Sequence, residues 1–239
     1  MPLRAADSST ELAIDASGLA RRFGPRWVLR GSSLQVARGE IVGLLGANGS
    51  GKSTLLRLLA TLLRPHAGSA RVWGFDIAAQ PDDVRRNIGF LAHAPGLYDD
   101  LTARENLAFG AAMLGRAHAA SSLDAALARV GLSGSVAERV RGFSAGMQRR
   151  LALARLLLSS PRLLLLDEPY SNLDAQGIEL MNAVVTSCVA EGGAALIVLH
   201  ELAPAAGILH RTVTIRQGRI EEPDAPRVSA TPLAGALAR

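Results

Sequence analysis

The sequence predicts an α/β fold: a sheet core with an N-terminal antiparallel β subdomain ahead of it and an inserted α-helical subdomain within it. Three observations carry that reading. A continuous apolar stretch, Ile41 to Leu45, runs into a glycine-rich loop and then into leucines at helical spacing (Leu55, Leu56, Leu58, Leu59, Leu62, Leu63), as in the strand–loop–helix unit of an α/β sheet. Two strand-like stretches precede it with no helical crossover between them, which makes them antiparallel. Between about Pro81 and Pro161 the pattern turns mainly helical before apolar strands resume.

Taken in order, the first strands fall around Leu12 to Ile14 and Leu29 to Val36, with a turn at Arg38-Gly39-Glu40. Ile41 to Leu45 and its helix follow. Ile88 to Ala92 reads as a strand, and helices are expected near 103–115, 121–130 and 146–159. Thr102 and Glu105 form a T-x-x-E capping box that starts the first of these. Strand character returns at Leu163 to Leu166, helix at Ala175 to Ala190, and strand again at Ala194 to Leu199 and Val213 to Arg216. The reading gives one domain over 10–222, its helical subdomain at about 95–160, and a loosely held Pro/Ala-rich tail over 223–239.

At 239 residues, with 49% hydrophobic and 20% charged residues, the chain can bury a sizeable core but is too short for two full α/β domains of this kind. A formal charge of +5 suits an anionic ligand without demanding nucleic acid. The single Cys188 excludes an intrachain disulfide framework and a multi-cysteine metal site, and is read as a buried apolar filler. No stretch approaches the roughly 20 apolar residues that cross a bilayer, so membrane association requires a partner.

Gly46-Ala47-Asn48-Gly49-Ser50-Gly51-Lys52-Ser53 matches G-x-x-x-x-G-K-[ST] between a buried strand and a helix. Glycines let backbone N–H groups turn inward around phosphate oxygens, and the helix presents its positive end to the same charge. Lys52 is expected to reach the β- and γ-phosphates, Ser53 to ligate Mg²⁺ and Thr54 to touch the α-phosphate. Lys52 is the only lysine among 26 basic residues, placed where a compact ammonium fits better than arginine's planar fork.

Leu163 to Leu166 ends in Asp167-Glu168, at the strand end where open α/β sheets place ligands. Asp167 is positioned to hold Mg²⁺; Glu168 points to the other side of the pleat and can polarise an attacking water. His200 also ends a strand and should meet the same edge, where it can orient Glu168, the water or the γ-phosphate. His66, His118 and His210 have no such context. Ser144 and Gly146 stand at the mouth of a long helix whose free N–H groups can bind a phosphate. If that helix cannot fold back onto its own phosphate loop, a second molecule must supply it.

Together these motifs resemble the ATP-binding subunits of ABC transporters, with their P-loop NTPase (RecA-like) core. GANGSGKST is similar to the family's Walker A loop, LLLLDEP to its Walker B strand, FSAGMQRR to its signature, Ser171-Asn172-Leu173-Asp174 to its D-loop and His200 to its switch histidine. The resemblance implies ATP and Mg²⁺ as ligands and a homodimer formed on ATP binding, with Ser144 and Gly146 of one copy facing the Walker A loop of the other. It assigns Phe23 to adenine stacking, Asp174 to the nucleotide site, and His93 to the position where the family commonly has a glutamine. The signature departs from the family pattern at Phe143, Ala145 and Met147.

The resemblance further implies a peripheral subunit on the cytoplasmic face of the membrane, joined to integral membrane subunits through a groove beside the His93 loop. The segment from Gly89 to Leu107 resembles the haem-exporter ATPases of cytochrome c maturation, implying haem export with a haem-handling partner. The alternatives are a multidrug, antibiotic or polysaccharide exporter and, in another class, a soluble non-transport ATPase. No nucleic acid partner is expected.

Overall fold

The computed structural model describes residues 12–113, 115 and 118–221; the tail expected from Pro223 lies outside them. The chain runs β1 (Leu12–Phe23), β2 (Arg26–Ala37), β3 (Ile41–Leu45), α1 (Lys52–Leu59), β4 (Ala67–Val72), β5 (Phe75–Asp76), α2 (Pro81–Asn87) and β6 (Ile88–Leu91). It continues through α3 (Ala103–Met113), α4 (Ala120–Arg129), α5 (Ala145–Leu158), β7 (Leu163–Asp167), α6 (Ala175–Ala190), β8 (Ala194–Val198), β9 (Arg211–Arg216) and β10 (Arg219–Glu221).

Two sheets form. One is antiparallel in the order β2-β1-β4-β5; the other, in the order β10-β9-β3-β8-β7-β6, is parallel except for the β9–β10 hairpin. The all-leucine run of β7 follows from its place near the middle of the parallel sheet. Leu163 and Leu165 join a core shared with α1 and the antiparallel sheet, while Leu164 and Leu166 face α5 and α6. All four are at most 1% exposed, each contributing about 1.5–3 kcal/mol of burial. β8 alternates in the same way, with Leu196 on the first side and Ile197 on the second.

The helical layer grows from the second core. Leu107 of α3, Leu127 of α4 and Leu151 of α5 are fully buried together. The capping box forms as expected: Thr102 N–H donates to Glu105 Oε2 at 2.8 Å, and Glu105 N–H to Thr102 Oγ1 at 3.2 Å.

β1 and β2 run well past the short strands expected from sequence because β-bulges interrupt their alternation. The β1–β2 register shifts between Ala16 and Leu19 and again between Leu19 and Ala20, so apolar residues fall side by side instead of every second position. At this irregularity Gly18 and Gly68 pack backbone to backbone. A Cβ on Gly68 (φ 78°) would lie 2.3 Å from the Gly18 carbonyl carbon and oxygen. Overpacking combined with left-handed backbone sets the expected cost of Gly68→Ala at about 3 kcal/mol. The corresponding fall in Tm is roughly 10 °C, measurable by thermal denaturation; an unchanged Tm would show that β1 and β4 can separate freely.

Cys188 is half-buried and not wholly enclosed as expected. Its thiol donates to the Pro161 carbonyl at 3.3 Å, and burial pushes its pKa up to about 11, which keeps it protonated and unreactive at neutral pH.

Candidate nucleotide site

Sheet order builds the site. Because β3, β8, β7 and β6 are neighbours with their carboxyl ends on one edge, the loop after β3, His200 after β8, Glu168 after β7 and His93 after β6 converge there. Segments far apart in sequence thus meet where parallel sheets present ligand sites.

Gly46, Gly49 and Gly51 hold φ values of 150°, 74° and 115°, conformations that L side chains rarely adopt. They curl the loop over the start of α1. Lys52 is 6% exposed, and its Nζ donates to the carbonyls of Gly46 at 2.6 Å and Ala47 at 3.1 Å. Two of its three hydrogens brace the loop, and the third remains for an anion. Ser53 and Thr54 open α1 in partly exposed positions, while Ala47 and Asn48 form the exposed rim.

Asp167 is 2% exposed, and its Oδ1 has no hydrogen-bond partner among the described residues; the same holds for Ser50 Oγ. Buried, unpaired polar atoms cost roughly 1–3 kcal/mol each and fit a bound group that would satisfy them. The donor set is hard oxygen: one carboxylate and the Ser53 hydroxyl. Mg²⁺ is commonly held by one or two protein oxygens, with substrate phosphates and waters completing the octahedron. The residues present therefore fit Mg²⁺.

Glu168 carries an unusual backbone, φ 52°, where non-glycine residues are strained. Its carboxylate is clamped on both sides: Oε1 lies 2.5 Å from His200 Nε2 and Oε2 lies 3.1 Å from His93 Nδ1. Sequence placed Glu168 and His200 near one edge, and His93 entered only through the family resemblance; the structure makes the three one unit. Such a carboxylate, fixed by two imidazoles, 19% exposed and at the same sheet edge as the phosphate loop, can accept a proton from water.

Ser144 and Gly146 lie elsewhere. Ser144 caps α5, its Oγ accepting the Met147 N–H at 3.2 Å, and a Cβ on Gly146 would meet the Asn172 carbonyl at 3.0 Å. Both line a cleft of about 520 Å³ with Gly131, Asn172 and Asp174, and none of the phosphate-loop residues, Asp167 or Glu168 contributes to it. Asp174 caps α6: its Oδ1 accepts the Gly177 N–H and an Arg150 N–H, both at 2.8 Å. Those hydrogen bonds, the Gly177 one foremost, hold its carboxyl below the usual range. Phe23 is 45% exposed at the end of β1, with the Arg21 guanidinium 5.0 Å from its ring. The neighbouring Arg26 reaches the phosphate loop, its Nη2 3.7 Å from where Gly49 would carry a Cβ.

Arg149, which sequence reading left without a role, is 3% exposed and joins the loops that follow β6 and β7. It donates to the carbonyls of Ala92 at 2.8 Å and Glu168 at 2.9 Å.

A glycine loop closing on a buried lysine at the carboxyl edge of a parallel sheet, beside an acidic strand end, defines a P-loop NTPase. The family model described as ABC transporter matches residues 29–171, and the chain belongs to that family. It is 44% identical over 193 residues to the cytochrome c biogenesis ATP-binding export protein CcmA of Xanthomonas axonopodis pv. citri, covering 81% of this chain and 86% of that one. It is 38% identical over 212 residues to the daunorubicin resistance ATP-binding protein DrrA3 of Streptomyces coeruleorubidus, covering 88% and 67%. A solved ATP-binding subunit of an ABC transporter superposes with a TM-score of 0.81 at 28% identity, covering 89% and 90%. The protein is an ATP-hydrolysing translocase subunit that uses ATP and Mg²⁺.

Proposed function

We propose that this chain is the motor of a haem-export complex, working as a pair of copies that close on two ATP molecules at the cytoplasmic face of a membrane. The clamped carboxylate carries the mechanistic part of the reading. Glu168 takes the proton of the attacking water, with His200 and His93 fixing its two oxygens. Lys52 holds the β- and γ-phosphates, Ser144 and Gly146 meet the γ-phosphate of the other copy's nucleotide, and Phe23 stacks on adenine. Ser53 and Asp167 would hold Mg²⁺, which when bound neutralises phosphate charge. The separation of the Ser144 cleft from the phosphate loop within one chain supports assembly of each site from two copies.

A groove beside the His93 loop supports docking to an integral membrane subunit. Leu62, Tyr98, Phe109 and Met113 stand 57%, 50%, 39% and 71% exposed around it, and clustered exposed apolar groups mark interaction sites. Asn106 braces this loop through the Tyr98 N–H and carbonyl, and Arg155 holds the carbonyls of Pro95 and Gly96. Its apolar floor suits one face of a short amphipathic helix. Among the described residues no helix is long and apolar enough to cross a membrane.

The haem assignment rests on the 44% identity to the cytochrome c biogenesis protein and on the Gly89 to Leu107 segment. The 38% identity to a daunorubicin resistance protein across 88% of the chain favours a second reading, antibiotic export. Co-purification with the native membrane subunit, followed by ATPase assays with added haem or daunorubicin, separates them. Stimulation by haem alone is the expected result; stimulation by daunorubicin alone would replace the first reading with the second.

A further inference from the structure

Arg149 combines three properties that packing alone does not call for. It is a buried cation whose hydrogen bonds go to backbone carbonyls. Burial pulls its pKa down, and the nearby charges of Asp167 and Glu168 oppose that pull. The carbonyls it binds belong to Glu168, whose left-handed backbone needs holding, and to Ala92, immediately before His93. Its guanidinium fork therefore spans the roots of both groups in the His93–Glu168 contact.

Arg149 also lies in the second turn of α5, the helix that Ser144 caps. A shift of that helix end must carry the guanidinium with it, and the planar fork transmits direction as well as distance. Among the described residues Glu168 O has one further donor, the Ser171 N–H at 3.3 Å, so Arg149 at 2.9 Å supplies the shorter of these two restraints.

We propose that Arg149 is a positioning residue that couples the two nucleotide sites of the dimer: contact of one copy's Ser144 end with the other copy's ATP sets that first copy's own Glu168 and His93 for hydrolysis. This rests on the reading of Glu168 as the base and of Ser144 as the trans contact.

The test uses Arg149→Met, which keeps length and removes the donors, and Arg149→Lys, which restores charge and part of the donation. The expected result for Arg149→Met is affinity for a fluorescent ATP analogue within about twofold of wild type, with kcat lowered about 10- to 100-fold, the scale of a misplaced catalytic group. The Hill coefficient for ATP should fall from above one to one, and Arg149→Lys should recover part of both losses. Wild-type kcat in Arg149→Met, equal loss of affinity and kcat, or a wild-type Hill coefficient already at one would overturn the proposal. If Arg149→Met does not fold, Arg149→Lys decides: a lowered Hill coefficient at unchanged affinity supports coupling, and wild-type kinetics overturn it. Glu168→Gln assayed in parallel separates the two layers. Full turnover there defeats the reading of Glu168, whereas loss there with wild-type Arg149→Met kinetics defeats only the coupling.

Discussion

Glu168→Gln protein is expected to bind ATP, accumulate as a dimer and lose turnover by at least about 100-fold, the lower scale for a positioned general base. The substitution keeps the shape of the side chain while removing its capacity to take a proton. In the native arrangement each carboxylate oxygen faces an imidazole nitrogen, at 2.5 Å from His200 and 3.1 Å from His93. A glutamine offers one acceptor and one donor, so one histidine must change tautomer to keep its contact. The backbone restraints on residue 168, from the Val198 carbonyl and Arg149, do not depend on the carboxylate. The binding surfaces therefore survive while the chemistry stops. Size-exclusion chromatography with ATP and a phosphate-release assay check both halves. Unchanged turnover would remove Glu168 from the base role, and a persistent monomer in the presence of the membrane subunit would remove the two-copy site.

What the sequence discloses and what it hides divide along physical lines. β7 and β8 are legible because burial on both faces demands an uninterrupted apolar run, and the phosphate loop because its backbone demands glycine at fixed intervals. β4, Ala-Gly-Ser-Ala-Arg-Val, is hidden: its residues have weak strand preference, and the antiparallel pairing with β1 that creates it is long-range. α2 is hidden for another reason, since over seven residues it buries only Val84, too little for a periodic signal. Asp174 has a local signal, an acidic residue just before a helix, that matches its observed capping of α6. The resemblance to the family's D-loop adds an expected role at the nucleotide site, and Asp174 lines the cleft of Ser144 and Gly146. Arg149 leaves no signal of this kind, because its partners lie 57 and 19 residues away and its reach is that of a long side chain, which no spacing rule encodes.

Lys52→Ala is expected to lower affinity for a fluorescent ATP analogue by about 10- to 100-fold, the equivalent of losing one hydrogen bond from a charged donor. Two effects combine. The ammonium is the cation of the phosphate loop itself, and it also ties together the carbonyls of Gly46 and Ala47 at 2.6 and 3.1 Å. Without it, a ligand meets a loop whose carbonyls are no longer turned aside by a donor, so the loss is not Coulombic alone. The nucleotide series separates the contributions. A lysine that reaches the β- and γ-phosphates makes its loss weaken ATP and ADP while leaving AMP nearly unchanged; a general collapse of the loop weakens all three alike. Lys52→Arg should not restore binding, because a planar fork cannot donate to two loop carbonyls and a phosphate from one point. Unaltered ATP affinity in Lys52→Ala would contradict the phosphate cradle itself, since the fold provides no second lysine to take its place.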